Sequence, residues 1–305
     1  MAKKILGFFN KQKQFEQNIM DGGMQYSSFY GDSLRRLKRN KMAMFCACLL
    51  GLLVLIAIFA PLIAPYDPNY QDYSAVLGGP CKAHLFGTDE YGRDILSRII
   101  YGSRVSISIG IVAQIIASIV GVALGSLAGY YGGWGDSLIS RVMEIFQAFP
   151  DLIFAMAIMT FMGKGVLNLF IALGLLTWVR TARMIRGSVI QLKEKEYIEA
   201  SRACGASTYW IIMKGLVPNC LSTIIVLVTL GIPNAIMYEA SLSFLGIGIQ
   251  PPTPSWGNMI SAAQTFISFR PVYSIMPGVA IMITVIAFNI FGDGLRDALD
   301  PKLKN

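Results

Sequence analysis

The chain has 305 residues, of which 54% are hydrophobic and only 14% are charged, whereas soluble domains carry about 25% charged residues. This composition excludes an ordinary soluble protein. The net charge of +8 does not indicate a nucleic-acid partner, because the Lys and Arg residues flank long apolar runs. We therefore expect the chain to be embedded in a lipid bilayer.

The apolar runs predict an all-α integral membrane protein with six transmembrane helices. The first, residues 42–64, contains no charge, and at 1.5 Å per residue it crosses a hydrocarbon core of about 30 Å. About forty mostly polar residues precede it, so we interpret it as a retained anchor and not as a cleaved signal peptide. The other predicted spans are residues 105–130, 145–162, 166–185, 220–244 and 275–291.

The distribution of Lys and Arg predicts the orientation. With the amino terminus inside, 20 basic residues fall on the inner side and six on the outer side, so both termini are predicted to be cytoplasmic. The predicted organisation is a cytoplasmic tail (1–41), a first transmembrane helix (42–64), an extracytoplasmic segment (65–103), a transmembrane core (104–293) and a cytoplasmic tail (294–305).

A short helix is predicted in the long inner loop between spans four and five, within residues 196–207. We expect it to end near Gly205, where glycine can adopt the left-handed C-cap conformation. Its small residues share one face that a partner could approach closely, and Glu199 adds a charge for an Arg or Lys of that partner. The small residues are Ala200, Ala203 and Ala206. Periodicity alone favours a solvated interfacial helix over such a docking role.

The same loop contains signals for the start of span five. Ser207 is a residue type that caps helices, and we expect it to cap the next helix. Pro218 is then expected to open the span, because proline is tolerated in a first helical turn.

Two carboxylates lie inside predicted spans. Asp151 follows Pro150, and we favour the interpretation that it caps a helix at the membrane interface over a functional role. Glu239 lies deeper, and exposure to lipid would cost about 3 kcal/mol. We therefore expect Glu239 to face a subunit partner or a polar path, and we keep Asp151 as a second candidate for such a position.

Three arginines recur at intervals of three residues around the inner end of span four, which places Arg180, Arg183 and Arg186 on one helix face. The favoured interpretation is an anchor for lipid phosphates at the interface. The alternative is that they pair with carboxylates of the inner loop.

The sequence contains no motif for nucleotide hydrolysis: Gly-x-x-x-x-Gly-Lys-Ser/Thr is absent from it. His84 is the only histidine, and the five cysteines show no framework spacing, so we expect no metal site. No converging nucleophile and base support a membrane-embedded enzyme. We therefore expect no catalytic residue and no cofactor bound by this chain.

Residues 199–205 (EASRACG) and 216–218 (LVP) resemble the coupling motif of binding-protein-dependent ABC permeases. That motif is Glu-Ala-Ala, three residues, Gly, nine residues and Ile-x-Leu-Pro. The resemblance implies that Glu199, Ala200, Ser201, Gly205 and Pro218 couple the chain to an ATPase. This sequence departs from the motif at Ser201, Gly215 and Val217.

Longer runs are similar to the C-type subunit of dipeptide and oligopeptide permeases, which have the type I importer fold. Together they cover the chain from about residue 40 to its end. The runs are residues 87–94 (GTDEYGRD), 239–248 (EASLSFLGIG), 251–257 (PPTPSWG) and 288–301 (FNIFGDGLRDALDP).

The resemblance implies a multi-pass protein of the bacterial plasma membrane that forms half of a peptide pathway, with residues 104–293 as its permease core. It implies a homologous B-type permease subunit, two ATPase subunits that bind ATP-Mg, and an extracytoplasmic solute-binding protein. Two alternatives remain open: a nickel or metallophore permease of the same family, and an ion-coupled secondary transporter. Deleting the inner loop distinguishes the secondary transporter from an ABC permease. The deletion should abolish ATPase association in an ABC permease and leave a secondary transporter largely intact, because a secondary transporter needs no ATPase.

Overall fold

The computed structural model describes residues 29–300, so residues 1–28 of the predicted amino-terminal tail and 301–305 of the predicted carboxy-terminal tail lie outside the described residues. Within 29–300, regular structure is helical apart from an isolated bridge between Thr88 and Asp94. The helices are α1 (Phe29–Arg39), α2 (Lys41–Ile58), α3 (Ala60–Ile63), α4 (Ile95–Tyr131), α5 (Gly133–Gln147), α6 (Asp151–Met162), α7 (Val166–Leu192), α8 (Glu196–Ala203), α9 (Thr208–Phe244), α10 (Trp256–Ala263) and α11 (Pro271–Leu299).

Five helices of the described chain are long and apolar enough to cross a membrane, namely α2, α4, α7, α9 and α11. The third predicted span differs, because α5 and α6 meet at a bend of 93°. Pro150 explains the break, since it lacks an N–H donor and disfavours helix at the residue before it. The prediction of one continuous helix over residues 145–162 is therefore wrong. The described chain therefore has five candidate spans, or up to six if the bent pair counts as one.

Two other spanning helices are longer than predicted. Helix α4 begins at Ile95, ahead of the expected start at residue 105, because the Asp94 carboxylate accepts a hydrogen bond from the Ser97 N–H (2.8 Å) and caps it. Helix α9 begins at Thr208, so Pro218 lies inside it and does not open it. A π-helical turn (Ile211–Leu216) and a 3₁₀ turn (Val217–Cys220) accommodate the proline.

Glycines on one face of α4 bring it into backbone contact with α7. A Cβ on Gly121 would lie 2.8 Å from the Trp178 carbonyl oxygen, and one on Gly129 would lie 2.8 Å from that of Arg186. Gly125, between them, faces Ala182 in the same way. Spacing by four residues permits such close helix contact, so α4 and α7 pack closely along this face.

The loops and short helices are divided between two faces of the bundle. The basic face contains α1, α8 and the end of α11, where the Arg36 guanidinium donates to the Asp300 carbonyl oxygen (3.4 Å). On the opposite face, residues 65–94 and 245–270 form what we call the outer cap. Its two segments are joined where the Arg270 guanidinium donates to the Leu77 carbonyl oxygen (2.6 Å). The two ends of the described chain thus lie on the same face.

Candidate functional site

Helix α8 on the basic face ends where the sequence predicts. The Gly205 N–H donates to the Arg202 carbonyl (2.9 Å), and the Ala206 N–H donates to the Ser201 carbonyl (3.0 Å). This pair of bonds is a Schellman motif, and it requires the left-handed conformation that Gly205 adopts (φ +78°). The predicted glycine C-cap is confirmed. The Ser207 hydroxyl also caps α9, as expected, by accepting from the Trp210 N–H (3.3 Å).

One side of α8 is fixed to the base of α9. Ile198 is fully buried in a cluster that includes Ile211 and Leu216. A Cβ on Gly215 would lie 2.8 Å from Ile198 Cδ1, so the glycine at this position makes room for the isoleucine. Burial raises the pKa of the Tyr197 hydroxyl, which stays neutral and donates to the Gly215 carbonyl (3.5 Å). The departure from the coupling motif at Gly215 thus has a packing reason.

The other side of α8 is open. Glu199, Ala200 and Ala203 are exposed, and Glu199 makes no hydrogen bond or ion pair within the described chain. The Ser201 hydroxyl donates to the Tyr197 carbonyl of its own helix (2.7 Å), so it presents little polarity outwards. The helix therefore offers a small-residue surface with one free carboxylate, and Pro218 in α9 is exposed as well.

A second feature lies between the spans, where Asp151 begins α6. The Tyr238 hydroxyl donates to Asp151 Oδ2 (2.6 Å), and no side chain caps the amino terminus of α6. The interpretation of Asp151 as a helix cap is therefore wrong. The carboxylate lies in a cavity of about 210 Å³ that we call the polar notch. Polar residues of its lining are Gln114, Gln147, Asp151, Thr177, Arg180, Thr181, Asn234 and Tyr238.

Glu239 neighbours Tyr238 in sequence but is enclosed elsewhere. It is 0% exposed, and its carboxylate accepts hydrogen bonds from the hydroxyls of Ser243 (2.8 Å) and Ser106 (3.3 Å). Ser106 in turn accepts from the Trp256 N–H at the start of α10 (3.2 Å). In this chain Glu239 joins α9 to α4 and α10, and it faces neither a cavity nor an outer surface, unlike the prediction.

The three arginines of α7 have different surroundings. Arg186 forms an ion pair with Asp136 of α5 (Nη2–Oδ2 2.6 Å), and Arg183 donates to the Gln147 side chain. The alternative that these arginines pair with the inner-loop carboxylates is thus wrong for Arg186, and the lipid-phosphate interpretation misses the Asp136 partner. Arg180 makes no hydrogen bond or ion pair within the described chain, and it lines the polar notch.

Sequence reasoning missed most of the polar notch, although one signal for it was available. Gln114 is the only strongly polar side chain in an otherwise apolar stretch of α4. It packs against the backbone of α9 at Gly231, where any Cβ would overlap the glutamine amide. Tyr238 and Asn234 carry no comparable pattern, because their position depends on how α9 packs against α6 and α7.

A bent helical bundle with an open helix on its basic face and a polar notch between its spans defines a class: the membrane subunit of a transporter. Residues 121–305 match the family described as binding-protein-dependent transport system inner membrane component. Residues 28–80 match the N-terminal TM domain of oligopeptide transport permease C. The chain belongs to this family of ABC importer permeases, which are bacterial inner-membrane transport subunits and not enzymes.

Individual relatives and solved structures agree with this membership. The chain is 45% identical over 271 residues to the glutathione transport system permease protein GsiD of Escherichia coli O157:H7, covering 88% of this chain and 89% of the relative. It is 42% identical over 272 residues to GsiD of Pectobacterium atrosepticum, covering 89% and 90%. The MetNI methionine ABC transporter, solved in inward facing conformations, has a chain with a TM-score of 0.55 and 20% identity, covering 68% of this chain and 98% of that chain. This last likeness shows the fold.

Proposed function

We propose that this chain forms half of the translocation pathway for short peptides, glutathione among them, and that α8 couples it to ATP hydrolysis. The relatives named for glutathione, a tripeptide, support the substrate class. The observation that carries the coupling role is the geometry of α8. Ile198 fixes one side of that helix to α9, while Glu199 and Ala200 are left open on the other.

The proposed assembly places the basic face in the cytoplasm, with both termini inside, in accord with the excess of Lys and Arg on that side. Two ATPase subunits that bind ATP-Mg contact the surface formed by Glu199, Ala200, Ser201, Gly205 and Pro218. A homologous B-type permease subunit supplies the other half of the pathway. The solute-binding protein delivers peptide at the outer cap.

The proposed mechanism uses α9 as the element that transmits movement. Because Ile198 is packed against Ile211 and Leu216 at the base of α9, displacement of α8 displaces that base too. The helix spans 37 residues, about 55 Å, and carries Tyr238 of the polar notch further along its length. Coupling then requires the ATPases to contact α8 differently in their open and closed states.

Substitution on the open side of α8 tests the coupling role. Ala200→Trp adds bulk to an exposed helical position without a conflict inside this chain, so insertion should be normal. We expect ATP-driven glutathione uptake by the assembled transporter in proteoliposomes to fall about tenfold, because the ATPase can no longer approach.

The matched control is Gln191→Trp, an exposed position at the end of α7 on the same face. It should change uptake by less than about twofold. Normal uptake by the Ala200→Trp transporter would show that α8 is not the docking element.

A further inference from the structure

The polar notch contains charges of both signs, and they are left available. Asp151 accepts one hydrogen bond, from Tyr238, through Oδ2, while no partner for Oδ1 is found within the described chain. Arg180 is exposed and lines the same cavity, again without a hydrogen bond or ion pair there. The next two arginines of α7 are both engaged by α5, so the availability of Arg180 is specific to the notch.

A buried amide adds to this unused polarity. Gln114 is only 3% exposed, and no hydrogen bond to its side chain is found within residues 29–300. Its amide atoms are not among the enclosed side-chain atoms of the described chain that lack a partner, so they are reached from the cavity. Its place in the cavity lining means that a ligand in the notch can supply the missing partner.

The cavity is a half-site. Its volume of about 210 Å³ is below the roughly 300–1,000 Å³ of pockets that enclose a small ligand. Asp151, Arg180 and Asn234 are exposed in the isolated subunit, so one side of the notch is open. Exposure of the Asp151 and Arg180 charges to lipid would cost about 2.5–3.5 kcal/mol each, so this side faces a water-filled path or another subunit.

We propose that the polar notch is a cargo site that holds a peptide in its zwitterionic form as it crosses the membrane. Asp151 binds the amino terminus, Arg180 binds the carboxyl-terminal carboxylate, and the Gln114 amide pairs with the peptide backbone. The opposite wall comes from the second permease subunit. This assignment rests on the proposed peptide substrate, and it adds which chemical groups of the peptide the permease reads.

The test measures ATP-driven uptake in proteoliposomes by the complete transporter with its binding protein. The probes are glutathione, its glycyl monoethyl ester and N-acetylglutathione, each at a concentration that saturates the binding protein. Arg180→Gln should lower the rate of glutathione uptake about tenfold. It should lower the rate of ester uptake less than about twofold, because the ester has already lost the charge that Arg180 binds. Asp151→Asn should show the same pattern between glutathione and N-acetylglutathione.

Arg183→Gln is the matched control, since it removes a guanidinium one turn along the same helix. This variant should lower the uptake rates of glutathione and of the ester by equal factors. The proposal is overturned if Arg180→Gln slows both compounds equally or if Arg183→Gln gives the same selectivity. If Arg180→Gln does not assemble, Arg180→Lys, which keeps the charge, must show a smaller shift of the same sign, and equal slowing there also overturns it. Failure of the wild-type transporter to import glutathione would refute the proposed substrate instead.

Discussion

In the outer cap, Asp89 is fully buried and accepts hydrogen bonds from the Arg93 side chain (2.6 Å) and from the N–H groups of Tyr91 and Arg93 (2.9 Å each). In the polar notch, by contrast, Arg180 is exposed and has no such partner within the described chain. A charge that is buried and saturated with local donors holds a segment in shape. A charge left open in a cavity is available to a ligand.

The rest of the outer cap follows the same pattern of internal pairing. Asp94 accepts hydrogen bonds from His84 Nδ1 (2.9 Å) and from the Ser97 hydroxyl (2.7 Å), and the Tyr273 hydroxyl donates to Glu90 (2.6 Å). The run 87–94, which is among the most recognisable in the sequence, is therefore mainly structural. The comparison teaches that the charges of the most recognisable run pair with one another, whereas the open charges lie in the polar notch, where the sequence has no recognisable run.

The largest effect is expected from Asp89→Asn, which tests the structural half of the comparison. The variant leaves the buried Arg98 guanidinium, 3.5 Å from Asp89, without its ion-pair partner in the described chain, and it leaves Arg93 with only the longer pair to Glu90 (3.7 Å). Breaking a buried pair costs about 3–5 kcal/mol, so we expect the free energy of unfolding in detergent to fall by that amount. Glu144→Gln, which removes an exposed pair with Arg141, should cost less than about 1 kcal/mol. Equal losses in the two variants would show that the outer cap does not depend on its buried charges.

Glu239→Ala should have an intermediate effect and sharpens the comparison at membrane depth. The variant leaves the hydroxyls of Ser106 and Ser243 without their acceptor, so we expect a loss of about 1–3 kcal/mol in the free energy of unfolding. Glu239→Gln keeps an acceptor oxygen and should lose less. Neither variant should change the preference for glutathione over its blocked derivatives. A change in that preference would show that Glu239 takes part in the translocation pathway and does not only stabilise the fold.

The features that the sequence predicted correctly are those determined locally. The apolar runs gave the long spans, and Gly205 and Ser207 marked the helix ends because caps depend on a few neighbouring residues. The bend at Pro150 is also a local effect, but a proline inside an apolar run does not by itself show whether a helix kinks or breaks.

The site residues could not be placed because their partners are distant in sequence. Tyr238 meets Asp151 across 87 positions, and Ser106 meets Glu239 across 133. Both carboxylates lie within apolar runs of the sequence, so the hydropathy pattern does not distinguish Asp151 from Glu239. Only the packing of α9 against α4 and α6 shows that one carboxylate is enclosed and the other lies in a cavity.

The smallest effect is expected at the Arg186–Asp136 ion pair. Its variants test whether the structural role of Arg186 is separate from the ligand-binding role proposed for Arg180 on the same helix face. Both side chains are partly exposed (32% and 19%), and such pairs contribute about 1 kcal/mol or less. Asp136→Asn, Arg186→Gln and the double variant form a mutant cycle whose coupling energy, measured by unfolding in detergent, should fall in that range. Because Arg186 fastens α5 to α7 while Arg180 lies in the notch, none of the three should alter peptide selectivity. A selectivity change as large as that expected for Arg180→Gln would mean that the arginines act together, and the notch could then no longer be assigned to Arg180 alone.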